Sequence, residues 1–168
     1  MNKESLRSNR SGAFCNTTII GCNTRKYHGL LVVPQPQLDN YNHVLLSSID
    51  ETVIANKEEF HFGVHQYEDG TIMPSGHKYL REFSAEPIPT LLYRVGTTKI
   101  TKEYIFADND SRIYIRYNVI EAAQPITLRL TPFLAFRNVH SLTHENHDAN
   151  RKYVPLKNGA SWRMYENY

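Results

Sequence analysis

The chain concentrates its potential chemistry in two polar runs, and the first holds Asn23, Arg25, Tyr27 and His28, with Gly29 directly after them. A guanidinium fork, an imidazole and a phenol ring are suited to the hydroxyl groups and flat faces of a sugar. The neighbouring glycine allows a backbone to approach a ligand closely. A structural reading stands beside this one: Arg25 pairs with a carboxylate, Tyr27 fills the core and His28 bonds a carbonyl. Residue types alone leave the two readings even.

The second run contains Arg137, His140, His144 and His147, with Glu145 and Asp148 among them. His-x-x-x-His spacing suits zinc when both imidazoles stand on one helix face. Ser141-Leu142-Thr143 and the following Asn146 give no helix support, and no fourth ligand is evident. The expectation is a loop of hydrogen-bonding side chains, with no metal and no cofactor.

Acid–base work by a carboxylate pair needs two carboxyl groups facing one bond. Asp50-Glu51 and Glu58-Glu59 are adjacent pairs, so on a strand their side chains point to opposite faces. Asp108 and Asp110 read as turn formers, and Glu145 and Asp148 share one polar loop with no apolar pocket nearby. No catalytic residue is assigned.

These runs need a scaffold, and 168 residues suffice for one domain with a sizeable core. A hydrophobic share of 40% and a charged share of 21% exclude wholesale disorder. The net charge is only +2 and the basic residues are scattered, so no stripe for nucleic acid exists. Cys15 and Cys22 are too few for a disulfide framework or a four-cysteine zinc site, and read as buried reduced thiols. Met1 to Ser5 begins no signal sequence, and the longest purely apolar run is Leu30 to Val33. A cytoplasmic protein with no membrane association is expected.

The dominant period is two. Ile113, Ile115, Tyr117 and Val119 fall on one face with Arg116 and Asn118 opposite, and Ile126, Leu128 and Leu130 repeat the pattern. The short connector 121–125 predicts that these two strands are neighbours in a meander. Thr90 to Val95 and Lys99 to Phe106 flank a hairpin turn at Gly96-Thr97-Thr98, as Val44 to Ala55 and Glu59 to Val64 do at Asn56-Lys57-Glu58. Thr17 to Ile20 and Tyr27 to Val33 are two further strands, and His77 to Phe83 has room for one helical turn. Arg94, Arg116 and Arg129 are assigned to solvent. With no helix-period stretch, the fold class is all-β, an antiparallel sandwich. Alternation fades after Phe136, and the natural protein is expected to continue beyond Tyr168.

Four blocks then resemble one family in its order. Asn23-Thr24-Arg25-Lys26-Tyr27-His28-Gly29-Leu30-Leu31 is similar to a signature of the N-terminal domain of bacterial and archaeal glycogen debranching enzymes. Its approach, Asn9-Arg10-Ser11-Gly12-Ala13-Phe14, departs from the family pattern at Arg10 and Ala13, where the family has glycine. Ser48-Ile49-Asp50-Glu51-Thr52 follows, then Leu80-Arg81-Glu82-Phe83 with Pro89 and Tyr93-Arg94-Val95-Gly96. Pro132-Phe133 with Arg137, then His140 to Asn146, complete the set.

The resemblance implies a supersandwich-like domain placed before a helical (α/α) toroid that holds the active site and cleaves α-1,6-linked glucose, as an amylo-α-1,6-glucosidase. It implies that this domain packs on the toroid and helps line the α-glucan site. Asn23, Arg25, Tyr27, His28, Arg137, His140 and His144 are the candidate contacts to glycogen or limit dextrin. A self-standing carbohydrate-binding module is the alternative. Without its partner domain the chain is expected to bare apolar surface and to self-associate.

Overall fold

A computed structural model describes residues 3–144 and 146–168. Met1, Asn2 and Glu145, the last a member of the second polar run, lie outside the described residues. In chain order the strands begin with β1 (Glu4–Ser8), β2 (Phe14–Thr18), β3 (Gly29–Pro34), β4 (Asn42–Ala55) and β5 (Glu58–His61). Next come β6 (Val64–Gln66), β7 (Ile72–Ser75), β8 (Leu80–Ser84), β9 (Thr90–Val95) and β10 (Thr98–Phe106). The last are β11 (Ile113–Glu121), β12 (Thr127–Asn138), β13 (Tyr153–Leu156) and β14 (Gly159–Trp162). A single 3-10 turn at Gly76–Tyr79 is the helical element among the described residues, where the sequence allowed one turn. No helix among them is long and apolar enough to cross a membrane.

Two antiparallel sheets face each other. One runs β1-β2-β3-β4-β12 with β5 also on β4, and the other runs β11-β10-β9-β8. The fold is the all-β sandwich that the period-two pattern requires. Hairpins β4-β5 and β9-β10 close with two-residue turns: Asn56 and Lys57 both have positive φ, and Gly96 sits at φ 56°. Such turns match the right-handed twist of the strands they join.

The meander expected between β11 and β12 is not formed. β11 pairs with β10 in one sheet, while β12 pairs with β4 in the other, in register from Thr127–Ile54 to Asn138–His43. The connector therefore crosses from sheet to sheet. Alternation records that a strand has one buried face but carries no information about which sheet buries it.

The main core lies between the sheets around Val53, Phe62, Leu91, Tyr93, Val95 and Ile100, with the Phe62 and Tyr93 rings stacked at 4.6 Å. A second cluster of Val32, Val44 and Val139 closes the end beside the polar loops. Across the interior Lys102 of β10 meets Glu51 of β4, and the Tyr117 hydroxyl of β11 donates to Glu51 Oε1 at 2.5 Å. The adjacent Asp50 points outward, where its Oδ2 lies 2.7 Å from His65 Nε2. This separation of neighbouring carboxylates is the one that strand geometry dictates. Arg116 pairs with Glu103, Arg129 forks onto Glu59 at 3.0 and 2.6 Å, and Arg94 bonds the Gly96 carbonyl, all at the surface.

Candidate functional site

The sheet itself explains why the first polar run is where it is. β12 pairs with β4 along one flank, so β3 and β5 must share the other, pairing with residues 42–46 and 52–55. The Glu51 carbonyl takes the Phe62 N–H at 2.8 Å, but the main chain of 47–50 lacks a strand partner on that side and needs other donors. Asn23 supplies one: its Nδ2 donates to the Ser47 carbonyl at 2.9 Å and lies 3.1 Å from Ser47 Oγ. Its Oδ1 accepts from Thr17 Oγ1 at 3.1 Å, which ties β2 and β4 through the loop. The amide of Asn23 is thus committed to the fold.

His28 is fully buried. Its Nδ1 accepts the Thr24 backbone N–H at 3.0 Å, closing the loop on itself, rather than the imidazole donating to a carbonyl. Nε2 lies 3.2 Å from Glu4 Oε1, close enough for attraction but off the line of a directed hydrogen bond. Glu4, on β1, also takes Arg25 Nε at 3.2 Å. One carboxylate therefore links the edge strand to the loop through two side chains, and Arg25 has the carboxylate partner of the structural reading while its side chain stays mostly exposed.

Tyr27 does not fill the core; the residue is 39% exposed and its ring turns toward the second polar run. Its hydroxyl lies 3.3 Å from His140 Nδ1, and the two rings meet edge to face at 5.7 Å. Lys26 Nζ donates to the His140 carbonyl at 3.3 Å. The runs lie more than a hundred residues apart in sequence and meet because β3, β4 and β12 are consecutive in the sheet. Gly29 is buried there, and a Cβ on it would lie 2.7 Å from Val44 Cγ1. Its close approach is to β4, not to a ligand.

Between the runs lies an open cleft of about 490 Å³ lined by Thr24, Arg25, Lys26, Ser47 and Arg137. Its far wall is the β6-β7 turn, with Gln66, Tyr67 and Glu68. That wall had no legible signal, since a three-residue strand gives no period. A second cleft of about 320 Å³ holds His144, Thr143 and Tyr165 and shares Ser47 and Arg137 with the first. Arg137 stands in the wall between them. Its Nη1 donates to the Asn138 and Ser141 carbonyls at 3.3 and 3.0 Å, and burial lowers its pKa from a value so high that the charge persists.

The arrangement suits hydroxyl-rich recognition. Cationic forks and amide groups rim open clefts, and the single carboxylate among the described lining residues of the two is Glu68. A pair of opposed carboxyl groups, the requirement for glycosidic cleavage, is absent from those described linings. No group of three His, Cys, Asp or Glu side chains among the described residues is disposed to hold a metal ion.

Compared with known proteins, the chain matches the family model described as glycogen debranching enzyme N terminal over residues 3–168. No curated protein matches the chain, and no solved structure does. Essentially the whole sequence is accounted for by that one model, and the chain belongs to the glycogen debranching enzyme N-terminal domain family.

Proposed function

We propose that this chain is the non-catalytic N-terminal domain of an amylo-α-1,6-glucosidase that acts in glycogen breakdown in the cytoplasm. It packs on the catalytic helical toroid and lends its two polar loops to the α-glucan site. The observation that carries the reading is the convergence of those loops on the cleft shared by Arg25, Lys26 and Arg137. Family membership supplies the substrate class. The want of a carboxylate pair in the described cleft linings favours binding over bond cleavage.

Surface area supports a domain built to be covered. A self-contained protein of this mass exposes roughly 8,500 Å² by the usual scaling. This chain exposes 10744 Å², and Trp162, Tyr153 and Leu156 on the β13-β14 hairpin are among the bared side chains. Two free, buried cysteines suit a reducing compartment.

The test uses a glycogen-containing native gel for binding and glycogen limit dextrin for glucose release. Retarded migration in a glycogen-containing native gel, lost in Arg137→Ala, with no glucose released, is the expected result. Unhindered migration overturns the glucan site, and glucose release overturns the non-catalytic assignment.

A further inference from the structure

We propose that Tyr41, Tyr27 and His140 form a stacking platform for a glucosyl unit of an α-glucan, with Tyr41 as its main face. The inference rests on the glucan-binding reading and adds to it a residue from neither polar run. Tyr41 lies in the β3-β4 connection and is 55% exposed. Its ring meets His140 at 5.2 Å and 83°, and Tyr27 meets His140 at 5.7 Å and 87°. In a near-perpendicular contact the edge of one ring meets the face of the other, so Tyr41 gives His140 at most one face, and its exposure leaves ring surface open to a ligand.

The rings are exposed, yet a polar brace fixes the backbone that carries them. Asp39 Oδ1 accepts the Tyr41 N–H at 3.0 Å, and its Oδ2 accepts Asn138 Nδ2 at 2.7 Å. Asn138 Oδ1 in turn accepts the His140 N–H at 2.8 Å. Asp39 Oδ1 also lies 2.9 Å from His43 Nε2. The His43 hydrogen bond, with the Tyr41 and Asn138 donors, holds the Asp39 carboxyl down at about 2, so the brace stays ionised. Ordering two distant segments to hold three aromatic rings in water costs chain entropy and recovers little burial. Preorganisation for a ligand accounts for that cost, since a rigid exposed ring binds without ordering anything further.

The occupant follows from the chemistry of the rim. A pyranose presents a C–H face and a girdle of hydroxyls. The Tyr41 face suits the first, and Lys26, which lies 5.2 Å over the Tyr27 ring, suits the second together with the Tyr27 hydroxyl.

Isothermal titration of the chain with maltoheptaose tests this, with circular dichroism to verify each variant's fold. Tyr41→Ala is expected to weaken binding about tenfold, and Tyr41→Phe to leave it within about threefold, because stacking needs the ring and not the hydroxyl. Binding by the wild type that Tyr41→Ala leaves unchanged overturns the platform and leaves the glucan reading standing, all the more if Arg137→Ala abolishes it. Absence of binding by the wild type at about 10 mM ligand overturns both. Docking of the toroid that Tyr41→Ala weakens while maltoheptaose binding stays unchanged assigns the rings to a protein partner and also overturns the platform.

Discussion

Lys102 of β10 and Glu51 of β4 form an ion pair across the interior of the sandwich, and both side chains are almost wholly shielded from water. Burial works against the ammonium, but the oxygens of Tyr104, Glu51, Tyr117 and Tyr93 outweigh it and keep Lys102 charged. Removing one partner strands the other's charge in the core. Lys102→Met is expected to destabilise the chain by about 3–5 kcal/mol, whereas Lys102→Met with Glu51→Leu regains most of the loss. Urea unfolding of the three proteins checks this, and a single variant as stable as the parent would contradict it.

Asn23 separates scaffold from ligand contact in the first polar run. Its amide satisfies the Ser47 carbonyl, which no strand reaches. Asn23→Ala is expected to cost about 1–3 kcal/mol by leaving that carbonyl and the Thr17 hydroxyl without their partner. Asn23→Asp keeps the acceptor for Thr17 but aims a second, charged acceptor at the Ser47 carbonyl, so it is expected to cost at least as much as alanine. Equal midpoints for all three proteins in chemical unfolding would return Asn23 to the list of ligand contacts.

These two residues also mark what the sequence made legible. The inward and outward destinies of Glu51 and Asp50 follow from strand alternation, and so do the inner rows of β10 and β11. The fate of Asn23 does not, because it depends on which flank of β4 is left unpaired. The β11-β12 crossing between sheets is hidden for the same reason. β1 was missed because its sequence, Glu-Ser-Leu-Arg-Ser, holds one apolar residue and that residue faces water. Among the candidate contacts, the meeting of Tyr27 with His140 was implicit in the two loops, but the contribution of Tyr41 needed the brace through Asp39 to become visible.

His65 gives the chain a pH-dependent contact. The hydrogen bond that His65 Nε2 donates to the Asp50 carboxylate raises the His65 pKa above its ordinary value near 6.5, against the opposing effect of burial. A group whose folded pKa is raised contributes stability that is fully present below the unfolded value and lost as pH rises through the folded one. Wild-type stability, relative to His65→Gln, is therefore expected to be greatest near pH 6 and to decline on the alkaline side. Parallel unfolding midpoints for the two proteins across that range would remove the pair from the account.

The sandwich leaves inner-face residues in water at two of its edge strands, β11 and β12. Val119 follows Tyr117 on the inward row of β11, and Leu130 follows Leu128 on that of β12, yet they are 51% and 45% exposed. Each strand also presents an unpaired backbone edge, since β11 pairs only with β10 and β12 only with β4. Apolar side chains on an open edge invite pairing with another chain. We expect the isolated chain to self-associate as its concentration rises. Val119→Lys with Leu130→Lys should restore a monomer, because lysine on an edge opposes docking without disturbing the interior. Light scattering over a concentration series distinguishes the cases, and a parent chain that stays monomeric at the highest concentration reached would rule out the edges as an association surface.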